Sequence, residues 1–209
     1  MDPNEYHSTE RAQGSSSEKV SGRTQLWRRE GNGPHLSQQK AQTSLDVVQI
    51  NLQHCKAASG ILAKRMEGKT AMIVLAQEPW VIGTKICGKI PEANIHVGDG
   101  LRSKPRACIY TRGIEAWKLT EFSSKDLVAV RVPRTNDSDQ GLAIASVYMA
   151  AEDPAPSEKV RRLVRHCRVN NIPLIMGGDV NSHHTSWGSS DINQRGEELM
   201  EFLIEEGID

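Results

Sequence analysis

The 209-residue chain reads as an α/β protein with mixed sheets, on three observations. A strand–helix–strand pattern runs from Asp46 to Ala76. A block of strand-like runs follows between Ala107 and Met149, broken by turn residues. A helix–strand–helix pattern then runs from Ser157 to Gly207.

Residues 1–44 stand outside this pattern. They are rich in Ser, Gln, Gly, Arg and Glu, and their apolar residues Val20, Leu26, Trp27 and Leu36 keep neither helical nor strand period. Such a segment buries too little surface to offset its ordering entropy. It is expected to be a disordered N-terminal tail, with 45–209 as the folded domain. Trp27-Arg28-Arg29 could serve as a short contact site, but an unstructured linker is the preferred reading. The lean overall apolar fraction, 37 %, fits a chain of which part adds nothing to a core.

From Leu45 the elements follow in order. Asp46-Val47-Val48-Gln49-Ile50 reads as a strand. Residues 57–67 read as a helix, with Ile61, Leu62 and Met66 on one side and Lys64 and Arg65 on the other. Residues 71–76 form a continuous apolar run, short enough to be a strand buried on both faces. Further strands are expected at 107–111, 116–120, 127–132 and 142–149. The polar run 136–141 marks a hairpin between the last two. Ser157 is placed to cap a helix to about Val169, whose Val160, Leu163, Val164 and Cys167 share one face. Arg161, Arg162, Arg165 and Arg168 cover the other face, read as solvated rather than as a DNA-binding stripe. Residues 173–176 are a buried strand. Residues 196–206 form a helix with Leu199, Phe202 and Leu203 inward, stopped by Gly207.

Composition narrows the class. The chain carries 26 basic and 26 acidic residues, which argues against a basic coat protein and an acidic solvating tail. The sum hides unlike parts: residues 45–196 hold 20 basic against 15 acidic groups, net +5, which suits a polyanionic partner. The longest apolar stretch, 142–151, is about half of the ~20 residues a membrane helix needs, so no membrane partner is expected. The first ten residues show no secretory signal pattern. Cys55, Cys87, Cys108 and Cys167 are widely spaced and read as buried free thiols. Nucleus or cytoplasm is the expected location. No glycine-rich nucleotide-cradling motif is present, so no small-molecule cofactor beyond a metal is expected.

Polar residues at the C-terminal ends of buried strands are where α/β proteins place their sites. Here Asn51, Glu78, Tyr148, Asp179 and Asn181 all fall at such ends. Gly177-Gly178 before Asp179 would let the backbone fold sharply and point the carboxylate into a cleft. Asp179 and Asn181, two apart, would face the same way on an extended segment. A carboxylate beside an amide suits a hard cation such as Mg²⁺. A second carboxylate beside amide and phenol donors suits water activation and phosphate binding. The set therefore has the chemistry of phosphodiester hydrolysis.

Val48-Gln49-Ile50-Asn51, Gln77-Glu78-Pro79-Trp80, Ser146-Val147-Tyr148 and Gly177-Gly178-Asp179-Val180-Asn181, in that order, resemble the endonuclease/exonuclease/phosphatase superfamily. That superfamily includes deoxyribonuclease I and the apurinic/apyrimidinic endonucleases. Residues 178–189, followed by Asn193-Gln194-Arg195-Gly196, resemble more narrowly the N-terminal endonuclease domain of jockey-like non-LTR retrotransposon polyproteins. The resemblance covers residues 46–209. It implies a four-layered α/β sandwich of the deoxyribonuclease I-like type and a metal-dependent DNA endonuclease that nicks a target site. Mg²⁺ or Mn²⁺ is the implied cofactor and DNA the implied partner. A reverse transcriptase domain is implied in the parent polyprotein.

By the same resemblance Glu78 would be the principal metal ligand, with Asn51 supporting the metal or the phosphate. Asp179 would orient or deprotonate the attacking water, Asn181 would hold the scissile phosphate, and Tyr148 would donate to a phosphate oxygen. His184, Asn193 and Arg195 are candidate nucleic-acid contacts, weighed against packing near Trp187, helix capping and a surface ion pair. His183 and His184 have no cysteine or carboxylate at zinc-ligand spacing.

The family pattern continues to a terminal Ser-Asp-His motif, which this sequence does not contain before Asp209. The expectation is therefore a domain lacking its last strands and last catalytic pair, weakly active or inactive. A non-catalytic nucleic-acid-binding remnant and a phosphatase or phosphodiesterase of the same superfamily are the alternatives.

Overall fold

The computed structural model describes residues 25–29, 45–98, 102–133 and 141–208. The strands are β1 (Gln25–Arg29), β2 (Asp46–Asn51), β3 (Met72–Gln77), β4 (Val81–Ile82), β5 (Lys85–Ile86), β6 (Ala93–His96), β7 (Ala107–Arg112), β8 (Trp117–Lys118), β9 (Leu127–Val132), β10 (Leu142–Tyr148) and β11 (Leu174–Asp179). The helices are α1 (Lys56–Met66), α2 (Glu158–Val169) and α3 (Gln194–Glu206), with a 3-10 turn at Thr185–Trp187.

Two sheets form the centre. One has the order β2-β3-β7-β6 and the other β1-β11-β10-β9-β8; β4 and β5 make a separate hairpin. Ile73 and Leu75 of β3 point into the inter-sheet layer with Ile109, Val128, Val130 and Ile144. Met72, Val74 and Ala76 point the other way, onto Leu62 and Met66 of α1. The apolar run of β3 is continuous because both its faces are covered. The second sheet does the same: Ala143, Ala145 and Val147 face Leu163, Val164 and Cys167 of α2 and Phe202 of α3. The layers are thus helix, sheet, sheet, helices, the four-layered α/β arrangement expected.

Each sheet contains one parallel pair. β2 pairs parallel with β3, ending at Asn51 opposite Gln77. β10 pairs parallel with β11, ending at Tyr148 opposite Asp179. These strand ends meet at one edge of the sandwich.

Several local expectations need correction. Gln25–Arg29 lies inside the expected disordered tail, yet it forms β1, antiparallel to β11. An edge strand supplies unpaired backbone groups, and these can order a segment too polar to fold alone. The rest of 1–44 lies outside the described residues. In α1 the inward residues are Ser59, Leu62 and Met66, while Ile61 is 60 % exposed, because it sits one residue off that stripe. β8 is only two residues long. β4, β5 and β6 were not anticipated; they are too short, or too mixed in composition, for a periodic signal. Ser157 occupies the N-cap of α2 but makes no side-chain capping bond. The turn between β9 and β10 falls largely outside the described residues, though the two strands pair antiparallel as a hairpin requires. Cys108 and Cys167 are buried, but Cys55 is exposed and Cys87 half-buried. The arginine face of α2 is partly used: Arg161 lies over the Phe202 ring at 4.9 Å and Arg168 pairs with Glu206 at 2.9 Å. No helix among the described residues is long and apolar enough to cross a membrane.

Candidate active site

Asn51 ends β2, Tyr148 ends β10, and Asp179 ends β11; Glu78 follows β3 directly. The Asn51 Nδ2 donates to Asp179 Oδ2 at 2.7 Å, linking the two sheets. Asn51 Oδ1 accepts the Gln53 backbone N–H at 2.8 Å, which fixes which way the amide faces. Beneath the site lies a buried polar relay. Gln77, fully buried, donates to Ser146 Oγ at 2.9 Å and accepts from Gln49 Nε2. Ser146 Oγ donates to the Ala76 carbonyl at 3.0 Å. Among the described residues Gln49 Oε1 has no hydrogen-bond partner.

Asp179 and Asn181 do not share an extended segment. Asn181 has a left-handed backbone, φ 46°, and its N–H donates to Asp179 Oδ1 at 3.2 Å. Its side-chain amide donates to the Met149 carbonyl at 3.0 Å. A turn, not the two-residue strand period, brings both side chains to the site. Gly177 and Gly178 likewise make no sharp fold, since both lie within β11. A Cβ on Gly177 would stand 2.7 Å from Leu75 Cδ1, and one on Gly178 2.3 Å from the Val147 carbonyl oxygen. The glycines allow close approach of neighbouring chain.

Glu78 also has a left-handed backbone, φ 46°. Its N–H donates to the Arg106 carbonyl at 2.8 Å, and its carbonyl accepts the His54 N–H at 2.7 Å. His54 Nδ1 lies 3.0 Å from the Pro79 carbonyl, and its Nε2 3.7 Å from Glu78 Oε1. Burial first, then the Glu78 charge, pushes the Tyr148 phenol above its usual range; a hydrogen bond with Asn181 and the Arg106 cation oppose this, and Asp179 adds to it. Tyr148 is therefore a neutral donor at ordinary pH. Tyr148 stands opposite Asp179 in the β10–β11 register, Asn51 and Asn181 both bond Asp179, and the Arg106 whose carbonyl accepts the Glu78 N–H lies over the Tyr148 ring, so the five expected residues gather at one edge.

The remaining candidates are engaged within the fold. His184 Nδ1 accepts the Ser186 N–H at 3.1 Å and its ring lies 5.0 Å from Trp187. Asn193 caps α3 by accepting the Gly196 N–H at 2.8 Å, and it also accepts the His183 N–H. Arg195 donates to the carbonyls of Ala150 (2.8 Å), Asp153 and Val180 (3.3 Å). Asp191 lies 2.9 Å from His183 Nδ1, so a carboxylate does reach His183, from eight residues along the loop. His54, Arg106 and Asp126 stand at the site unanticipated. The contacts that bring them there run between segments far apart in sequence.

The donor set fits a hard cation. Glu78 presents a half-buried carboxylate, and Asn51 Oδ1 retains a second lone pair. Among the described residues no three His, Cys, Asp or Glu side chains converge. An ion here would keep several waters, as Mg²⁺ does.

A family model described as endonuclease-reverse transcriptase matches residues 142–209. The solved endonuclease domain of TRAS1, a telomere-specific non-LTR retrotransposon, is similar to this chain at a TM-score of 0.66 with 26 % identity. That similarity covers 78 % of this chain and 71 % of the TRAS1 domain. No curated protein sequence matches the chain.

Proposed function

We infer, for a chain that belongs to the endonuclease/exonuclease/phosphatase superfamily and resembles its retrotransposon endonucleases, a divalent-metal-dependent DNA-nicking domain. The observation that carries this reading is the Asn51–Asp179 bond, which closes one site from the strand ends of two sheets beside Glu78 and Tyr148.

Glu78, supported by Asn51, would hold Mg²⁺ or Mn²⁺, which when bound polarises a phosphate oxygen and offsets developing charge. Asp179 accepts from Asn51 and so keeps its carboxylate oriented to take a proton from the attacking water. Asn181 and the neutral Tyr148 phenol would donate to the scissile phosphate. The substrate would be DNA, with the protein in the nucleus or cytoplasm and a reverse transcriptase domain in the parent polyprotein. The net +5 of residues 45–196 supports a polyanionic substrate.

The test is nicking of supercoiled plasmid with Mg²⁺ or Mn²⁺. Glu78→Ala and Asp179→Ala should each lower the rate at least ~10²-fold, and a chelator should abolish it. Nicking that survives both substitutions together would falsify the assignment. Salt-dependent DNA binding without cleavage would reduce the protein to a binding module, and release of phosphate from inositol phosphates would make it a phosphatase.

A further inference from the structure

Arg106 and Asp126 each precede a strand, β7 in one sheet and β9 in the other. Each extends its strand's ladder by one rung, and each rung ends on a site residue. The Arg106 carbonyl accepts the Glu78 N–H at 2.8 Å, and the Asp126 carbonyl accepts the Tyr148 N–H at 2.8 Å. The two side chains then join each other across the sheets. Arg106 Nε and Nη2 donate to Asp126 Oδ1 and Oδ2 at 2.5 and 2.9 Å. The guanidinium carbon also lies 4.9 Å from the centre of the Tyr148 ring. Both side chains are largely buried, 19 % and 24 % exposed, so solvent screens the pair little. A second contact layer is more exposed: Glu152 at 3.5 Å and Asp153 at 3.7 Å from Arg106.

We propose that Arg106 and Asp126 are a positioning pair for the reaction: they set the separation of Glu78 and Tyr148 across the two sheets, and the Arg106 plane orients the Tyr148 ring. The inference rests on the nuclease reading above. Glu78 needs such support because its left-handed backbone is costly for a residue with a side chain. Arginine suits the task because one flat group can make a bidentate bond to a carboxylate while stacking on an aromatic face; an ammonium cannot do both. The Asp126 hydrogen bond holds the Arg106 guanidinium above its usual range, so the cation is permanent.

Two arms test this on the full chain. In the first, 3-fluorotyrosine is incorporated at the three tyrosines, and Tyr148→Phe identifies the Tyr148 fluorine signal. Arg106→Lys and Asp126→Asn should each move or broaden that signal and leave the Tyr110 signal in place. An unmoved Tyr148 signal, or equal displacement of Tyr110, overturns the proposal. In the second arm, Arg106→Lys should lower the nicking kcat ~10-fold or more with KM within about threefold. In a Tyr148→Phe background the same change should cost under about threefold, since the hydroxyl whose placement it sets is gone. Fully multiplying effects would mean a general packing role and overturn the proposal. Absence of nicking by the unaltered chain counts against the nuclease reading alone, and the fluorine spectra still decide the pair.

Discussion

The Asn51 amide meets the Asp179 carboxylate at 2.7 Å, so the last residue of β2 is bonded to the last residue of β11 in the other sheet. The acceptor is a carboxylate, which makes this one of the stronger kinds of hydrogen bond. Asn51→Leu should therefore cost about 1.5–3 kcal/mol, read as a lower urea midpoint with an unchanged slope. Asn51→Asp should destabilise the metal-free chain too, by setting two carboxylates together, and should recover part of the loss when Mg²⁺ or Mn²⁺ is added. A midpoint for Asn51→Asp that ignores the metal would count against a cation at this edge.

The glycines of β11 make a second, graded prediction. A Cβ on Gly178 meets a backbone carbonyl at 2.3 Å, whereas one on Gly177 meets the end of the Leu75 side chain at 2.7 Å. Backbone gives way less easily than a methyl group. Gly178→Ala should lose about 2–3 kcal/mol and Gly177→Ala nearer 1 kcal/mol, measured by thermal or urea unfolding. The reverse order would mean that the inter-sheet layer is stiffer than the β10–β11 ladder.

The same glycines show where sequence reading reaches and where it stops. Strand ends were legible because an apolar run that stops at Asn51, Gln77-Glu78 or Asp179 is a local pattern. The α2 core face was legible because Val160, Leu163, Val164 and Cys167 keep a 3.6-residue period, and all four are buried. Gly177-Gly178 was visible, but its reason lay in Leu75 and Val147, on two other strands. Arg106 and Asp126, twenty residues apart, carry no motif, and only the packing of two sheets brings them to Tyr148 and Glu78. β1 was missed because its order derives from the edge of β11, not from its own composition.

The relay under the site predicts a stability effect separable from chemistry. Gln77 is fully buried and bonded to Gln49, Ser146 and the Gly177 carbonyl. Gln77→Leu leaves Gln49 and Ser146 without those partners and should cost about 2–4 kcal/mol. Adding Ser146→Ala should cost less than its effect alone, because the two share one network. Strict additivity in urea unfolding would show that the relay is not a unit.

His96 gives the fold a pH response. Burial first, and then the Lys118 charge, lowers its pKa from the ordinary 6.5; its Nε2 lies 3.1 Å from Thr111 Oγ1. Between the lowered value and 6.5 the unfolded chain binds a proton that the folded chain does not. Stability should fall as pH drops below 6.5, with a slope of at most about 1.4 kcal/mol per pH unit from this one group. Urea midpoints at pH 7.5 and 5.5 should converge in His96→Asn relative to the unaltered chain. An unchanged difference would assign the pH response to other groups.

Arg195 separates a structural from a nucleic-acid role. Its guanidinium bonds the carbonyls of Ala150, Asp153 and Val180, so it ties the segments after β10 and β11 to the first turn of α3. Burial lowers its pKa from the ordinary arginine value, and the charges of Asp153, Glu198 and Glu152 oppose that. Arg195→Ala should cost about 1.5–3 kcal/mol of stability, by leaving those carbonyls without a charged donor. DNA binding at a temperature where the variant is folded should keep its salt dependence. A phosphate contact would instead flatten the log–log salt slope by about 0.9 while sparing stability. Measuring both on the same sample decides the matter, since each role moves one quantity and leaves the other.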